Sequence, residues 1–337
     1  NGTDTGSGTD TGNVTDTGNA ADTGTNSGNN NSQPARVAVS PRVPSYVVAA
    51  TATYHQGNQI KDIFLDNVWK DNKQGFYVIQ SHTSNEYNTD RSFVNYGYGY
   101  KGKQNTTLFG GYVPLTANTE LHAAVGFGKQ TIEPKAADGY SKGKYKTVSG
   151  LVSINNKWDN VLLNVGVGYH RHSGDISASG IDKVAKVKSN QHQVFTQFSY
   201  EIPFGQLTVT PMLGLSYQNL NTQVNDKDWN VEVKDYNVFS QQVGSNFSWK
   251  ADSVRFNLGV FYENVNSSVP QVRILPVGDS AESFSGGKLG NNIVVKASSE
   301  VTLLPNLTLG LQVSHRHALS SAKLKQTNVM GKIEYKF

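Results

Sequence analysis

The chain has 337 residues, of which 36% are hydrophobic and none is cysteine, so it holds one large domain or two ordinary ones and has no disulfide, thiol catalyst or thiolate metal site. No stretch approaches the roughly 18 consecutive apolar residues of a transmembrane helix, which does not exclude a barrel that shows lipid only alternate residues. The formal charge of +4 is uneven, because residues 1–33 carry Asp4, Asp10, Asp16 and Asp22 without Lys or Arg; the remainder is at +8, with no compact Lys/Arg run interleaved with aromatics of the kind nucleic-acid binding needs.

Residues 1–33 repeat Thr-Asp-Thr-Gly at Thr3–Gly6, Thr9–Gly12 and Thr15–Gly18. Their only apolar residues are Val14, Ala20 and Ala21, too little surface to offset ordering entropy, so a disordered linker is expected. The Asp spacing lacks the dense pattern of calcium-binding repeats. No signal peptide opens the chain at Asn1, so an exported protein with this sequence is expected to be part of a longer precursor.

Residues 34–73 differ from what flanks them. Pro34, Pro41 and Pro44 lead into a run of small residues from Ser45 to His55. Pro44 suits a helix's first turn, and Gly57 suits a C-cap, which predicts a helix over residues 44–56. The amphipathic stretch Ile60 to Trp69 continues it or forms a separate turn.

From residue 74 to 337 the period is two, as in β-strands. Twelve segments follow: 75–88, 93–114, 119–134, 144–158, 161–177, 186–203, 205–222, 235–251, 252–266, 291–304, 307–320 and 325–337. Leu207, Val209, Pro211, Leu213, Leu215 and Tyr217 share one face, as do Leu307, Leu309, Leu311 and Val313, and Val254, Phe256, Leu258, Val260 and Tyr262. Their alternates are polar or Gly, including Thr208, Gln218, Gly310, Gln312, Arg316 and Glu263. Charges on that second face are Glu201, Arg255, Lys296, Glu300, Lys332 and Glu334. A water-soluble sandwich would bury its apolar face. Here the polar face is the charged one, which predicts an apolar exterior and a polar lumen.

The connections alternate too. Those at Thr116–Asn118, Asp159-Asn160, Phe204, Ala251-Asp252 and Pro305-Asn306 are tight, whereas those after the third, fifth, seventh and ninth segments are longer, up to 267–290. Membrane barrels combine short turns on one side with long loops on the other. The start of the first strand and Phe337 then share the turn side. A helix that comes before that strand, and a linker that ends on the opposite side, connect only through the pore. The sequence therefore predicts an all-β chain: a 12-stranded antiparallel transmembrane β-barrel with an N-terminal α-helix in the pore.

Val43-Pro44-Ser45-Tyr46-Val47, Gly75-Phe76-Tyr77-Val78, Tyr96-Gly97-Tyr98-Gly99-Tyr100 and the closing Gly331-Lys332-Ile333-Glu334-Tyr335-Lys336-Phe337, in that order, resemble the translocator domain of classical monomeric autotransporters (type V secretion, adhesin or pertactin-like kind). The resemblance covers residues 40–337. It implies a barrel of the Gram-negative outer membrane, surrounded by its lipid, that takes its own passenger to the cell surface and leaves the linker exposed there. It also implies periplasmic chaperones on the way, barrel-assembly machinery that reads Tyr335 and Phe337, and a pore helix carrying Pro44, Tyr46, Ala50 and Tyr54. A monomer without cofactor, metal or catalytic residues is expected. Some family members cut the passenger between Asn residues near the helix, but Asn29-Asn30-Asn31 lie upstream in the linker, so that cut is not carried over. The alternative is an outer-membrane porin or small-solute channel, against which the first 73 residues argue; a barrel phospholipase and a soluble β-rich adhesin are more distant rivals.

Other candidates read as bland. His170 and His172 share a face toward the lumen, and His315 and His317 one toward the outside, so the four form no single metal site. Gly278-Asp279-Ser280-Ala281 lacks the Leu of a lipase block, and Asn225-Asp226-Lys227-Asp228 lacks the Gly and distal Glu of a calcium loop, so both are expected to be solvated loops.

Overall fold

The structure is a computed structural model that describes residues 40–68, 74–89, 99–135, 139–276, 278, 280–320 and 323–337. The linker of residues 1–33, Asn29–Asn31, Trp69, Tyr96–Tyr98 and Asp279 lie outside them.

One helix, α1 (Val43–Leu65), precedes the strands. These are β1 (Gly75–Asn88), β2 (Tyr100–Thr116), β3 (Thr119–Pro134), β4 (Ser141–Trp158), β5 (Val161–Ala178), β6 (Ile181–Tyr200), β7 (Ile202–Phe204), β8 (Leu207–Asp226), β9 (Trp229–Val233), β10 (Tyr236–Ala251), β11 (Val254–Ser267), β12 (Gln271–Pro276), β13 (Glu282–Ser285), β14 (Asn292–Leu304), β15 (Leu307–Ala318) and β16 (Lys323–Lys336). Twelve of them form one antiparallel ring, in the order β1, β2, β3, β4, β5, β6, β8, β10, β11, β14, β15, β16. The ring closes where β16 pairs β1 from Gly75 opposite Lys336 to Asn88 opposite Lys323. Closure leaves no open sheet edge, as a spanning sheet in hydrocarbon must.

The predicted alternation holds. Leu213, Leu215, Phe256, Leu258, Leu309 and Leu311 face outward, and Leu311 is 59% exposed. The expected outer charge of a soluble sheet is instead inside, where Lys332 and Glu334 are buried. The interior also holds an apolar filling that alternation alone did not predict. Ile132, Tyr145, Ile176 and Val184 pack from the wall onto Val43, Tyr46 and Val47 of α1. Ile79, Leu108, Leu151 and Phe195 pack onto Ile60, Ile63 and Phe64.

That filling explains the helix. Val47, Val48, Thr51 and Thr53 are weak helix formers, each costing a few tenths of a kcal/mol, about 0.5. Every residue of α1 except Leu65 is buried. Burying Val47, Ile60, Ile63 and Phe64 is worth about 1.5–3 kcal/mol each, so packing outweighs propensity. The expected stop at Gly57 is therefore corrected: α1 runs on through the stretch that begins at Ile60 and ends at Leu65. Gly57 serves close approach, because a Cβ there would strike the Gln191 side chain. The C-terminus is closed by the Asn67 side-chain amide, which donates to the Ile63 carbonyl at 2.8 Å.

Away from the tight turns β4, β5, β6, β8, β11 and β16 run further than predicted, whereas β10, β14 and β15 stop one or two residues short. The expected loop between 177 and 186 is a two-residue turn at Ser179-Gly180 with both φ positive, 43° and 84°. The tight connection expected at Phe204 is instead strand β7, and the turn follows at Gly205-Gln206. The seventh segment extends to Asp226. The long loops after β8 and β11 carry a separate three-stranded sheet, in the order β13, β12, β9. Polar residues alternate on both faces beyond the apolar belt, so the period there gave no contrast to mark strand ends.

Candidate functional site in the barrel lumen

The lumen is occupied along α1, from the loop end of the barrel toward the turn end. Pro44, Tyr46, Ala50 and Tyr54 all lie on the buried helix.

At the loop end the helix is latched. Arg42 donates to both carboxylate oxygens of Asp226, at 3.1 and 3.0 Å, and to Asp228 at 3.1 Å. Its guanidinium lies 4.0 Å from the ring centre of Trp229. The Tyr46 hydroxyl donates to Asp226 as well. Of residues 225–228, read from the sequence as a solvated loop, Asn225, Lys227 and Asp228 are exposed, and the reading is corrected at Asp226 alone, whose side chain is fully covered. Burial alone would raise its pKa, but the hydrogen bonds from Tyr46, the Asp228 amide and Arg42 hold it below the usual carboxylate value. Charge was visible in the sequence here, but the Arg42–Asp226 pairing spans 184 residues, and no local pattern reports it.

In the middle, contacts are neutral. His55 Nδ1 and the Tyr100 hydroxyl are 2.5 Å apart. Gln56 meets His172 at 3.3 Å, His172 meets Gln191 at 3.1 Å, and Gln218 donates to Asn58 at 2.9 Å. His170 sits beside them with Ser149 at 2.7 Å. Both histidines face the lumen and His315 and His317 face out, as expected. Among the described residues no cluster of His, Asp and Glu is arranged to hold a metal.

Nearer the turn end the contacts become ionic. Arg316 Nη2 donates to Asp62 at 2.7 Å, and Arg316 Nε donates to Glu263 at 2.8 Å. Lys296 pairs with Asp66 at 2.6 Å, and Gln312 donates to the other Asp66 oxygen at 2.7 Å. Lys332 pairs with Glu300 and with Glu334 at 3.1 Å, and the Tyr112 hydroxyl donates to Glu334 at 2.5 Å. Asp62, Asp66, Arg255, Lys296, Glu300 and Lys332 help to line a cavity of ≈ 270 Å³. Glu201 also lines it and pairs with Lys157 at 2.7 Å. Arg255, Lys296, Glu300 and Lys332 line the same cavity, and Glu334 is buried beside Lys332. Of these, only Lys296 pairs with the helix in a described salt bridge. The principal helix clamp, Asp62–Arg316–Glu263, was missed as a unit because its members come from three distant elements.

At the turn end, the Tyr335 ring lies 5.2 Å from that of Phe337, and both are near Phe76, at 5.8 and 6.0 Å. Asn306 donates to the Tyr335 hydroxyl at 2.6 Å.

The family model described as Autotransporter beta-domain matches residues 81–314. Among solved structures the chain is similar to the translocator domain of the autotransporter NalP from Neisseria meningitidis, at 15% identity and a TM-score of 0.68, covering 87% of this chain and 100% of that one. It is similar to the transport unit of AIDA-I from Escherichia coli, at 12% identity and a TM-score of 0.65, covering 89% and 100%. The β domain of the Bordetella autotransporter BrkA aligns at 9% identity and a TM-score of 0.52, covering 79% and 100%. No curated protein matches the sequence.

Proposed function

The chain belongs to the autotransporter β-domain family, an outer-membrane barrel, and we propose that it exports the polypeptide joined to its N-terminus and keeps α1 in the pore afterwards. One observation carries the reading: the direction of α1. Its start is latched at the loop end by Arg42 and Asp226, while its last turn reaches Lys296 and Gln312 nearer the turn end, where β1 begins. A chain upstream of Arg42 therefore leaves from the loop end, which in an outer-membrane barrel is the cell surface. On this reading residues 1–33 are the surface linker, residues 34–73 the pore segment and residues 74–337 the barrel. The barrel works as a monomer in lipid, after periplasmic chaperones and assembly machinery that reads Tyr335 and Phe337. Contacts from Arg42, Asn58, Asp62 and Asp66 to the wall hold the helix along its length, which favours a plugged barrel over a standing small-solute channel.

An epitope fused ahead of Asn1 in cells tests this. Added protease should remove it from intact cells in which the barrel shows heat-modifiable gel migration. An epitope that stays protected while the barrel is assembled overturns the reading.

A further inference from the structure

Just beyond the apolar belt on the loop side, the exterior is not uniform around the ring. Lys103, Lys129, Lys146, Arg171 and Lys188 project outward and are exposed on β2, β3, β4, β5 and β6. Register makes them neighbours. Lys129 stands directly opposite Lys146. Asn105 stands opposite Lys129, which leaves Lys103 one diagonal step away. Ser173 stands opposite both Lys146 and Lys188, with Arg171 one diagonal step from each. Five cations therefore cross five adjacent strands in one row. They are scattered through 86 positions of sequence, so no Lys/Arg run announces them.

Among the described residues no carboxylate forms a salt bridge with any of the five, and only Lys103 has a carboxylate, Glu133, interacting at longer range. Glu133 is engaged by Lys142 at 2.8 Å and Glu86 by Lys135 at 2.6 Å. The row does not continue onto β8, where Gln223 stands opposite Lys188 and Asn221 donates to the carboxylate of Asp235 at 2.8 Å. Immediately on the turn side of the row, Phe127 stands opposite Val148, 51% and 52% exposed. Like charges directly opposite destabilise a sheet. At about 5 Å they also lie within the Debye length of about 10 Å at 0.1 M salt, so solvent ions relieve them only partly. An anion seated at this boundary removes the repulsion, and one that carries acyl chains also covers Phe127 and Val148.

We propose that this arc binds a phosphate-bearing lipid headgroup of the outer leaflet, with its acyl chains on the belt below. The assignment to the outer leaflet rests on the loop end facing the cell exterior.

The test uses the full chain purified in detergent, with retained lipid counted by native mass spectrometry. The probes are bis-phosphorylated lipid A, the same lipid with both phosphates removed, and inorganic phosphate. The unaltered chain should retain the phosphorylated lipid. The triple substitution K129Q/K146Q/R171Q should retain at least about tenfold less, since each basic residue near an anionic surface contributes measurably. K325Q, which removes an outward Lys on β16 away from the arc, should retain as much as the unaltered chain. Inorganic phosphate should not displace the lipid. Equal retention by the triple variant, equal retention of the dephosphorylated lipid, or displacement by inorganic phosphate each overturns the proposal. Heat-modifiable migration checks that the variants fold. Should the triple variant fail to fold, a salt series on the unaltered chain decides: retention that survives about 1 M salt, where the Debye length is about 3 Å, overturns it. Protease shaving of cells reads the export topology separately, so failure of one is distinct from failure of the other.

Discussion

Arg316 on β15 reaches Asp62 on the pore helix across 2.7 Å, a bond between residues 254 positions apart. The same guanidinium holds Glu263 on β11 at 2.8 Å, so one cation joins two walls to the plug.

Replacing that cation should therefore do more than loosen one contact. Arg316→Leu leaves Asp62 and Glu263 as buried carboxylates facing a gap, and breaking such a pair costs about 3–5 kcal/mol. The denaturant midpoint in detergent should fall, and current through the barrel in a planar bilayer should rise as the helix loses its anchor. The double substitution D62N/R316L should cost less than the sum of the single ones, because the partners share one interaction. Additive losses would show that Arg316 acts on the barrel alone.

The lipid face predicts a sharp asymmetry between adjacent positions. Leu311→Lys or Val313→Lys places a charge in hydrocarbon and should cost up to about 2–4 kcal/mol near the bilayer midplane. Gln312→Lys enters the cavity beside Asp66, which already accepts from Gln312 at 2.7 Å, and should be nearly neutral. Similar folding equilibria in lipid for all three would contradict the assigned faces.

Gly57 sits against the Gln191 side chain. Gly57→Val should push the helix off β6 and break the Gln191–His172 contact at 3.1 Å, although valine forms helix at least as well as glycine. Lower thermal stability in detergent is the expected result, and a stabilised protein would mean that the lumen has slack there.

The latch at Asp226 should open in acid. Its carboxyl titrates below the usual value in the folded state, so its contribution is present above about pH 4, the ordinary carboxylate value, and is lost as pH falls through the folded value. In a variant that keeps Trp229 as its sole tryptophan, emission should change below about pH 4 as Arg42 leaves the ring. Asp226→Asn should remove most of that change.

Deleting Phe337 should slow assembly and spare the product. Its backbone amide donates to Gln74 at 3.0 Å, but its side chain is 70% exposed, so little native packing is lost. Expected are slower appearance of the folded band in an assembly assay and an unchanged midpoint once folded. An unchanged assembly rate would argue against a role as a signal.

Much of this architecture is legible locally. Period-two contrast marks β1 and β3 to the residue, because Phe76 and Phe127 alternate there with buried groups. The helix was only half legible: Gly57 reads as a stop when the wall that supports Ile60, Ile63 and Phe64 is not in view. Asp226 reads as loop for the same reason, since its partners Arg42 and Tyr46 lie nearly two hundred residues upstream. The small sheet of β9, β12 and β13 has strands too short for periodicity to separate from loop.

The seam between β1 and β16 sets the order of events in the molecule's making. The earliest strand waits for the latest, so the ring stays an open ribbon until the chain is nearly complete, and the ends that meet are separated by some of the longest loop entropy the sequence contains. A helix that packs on Ile132 and Tyr145 of the wall is enclosed most directly before that seam shuts, so the expected order is plug first and closure last.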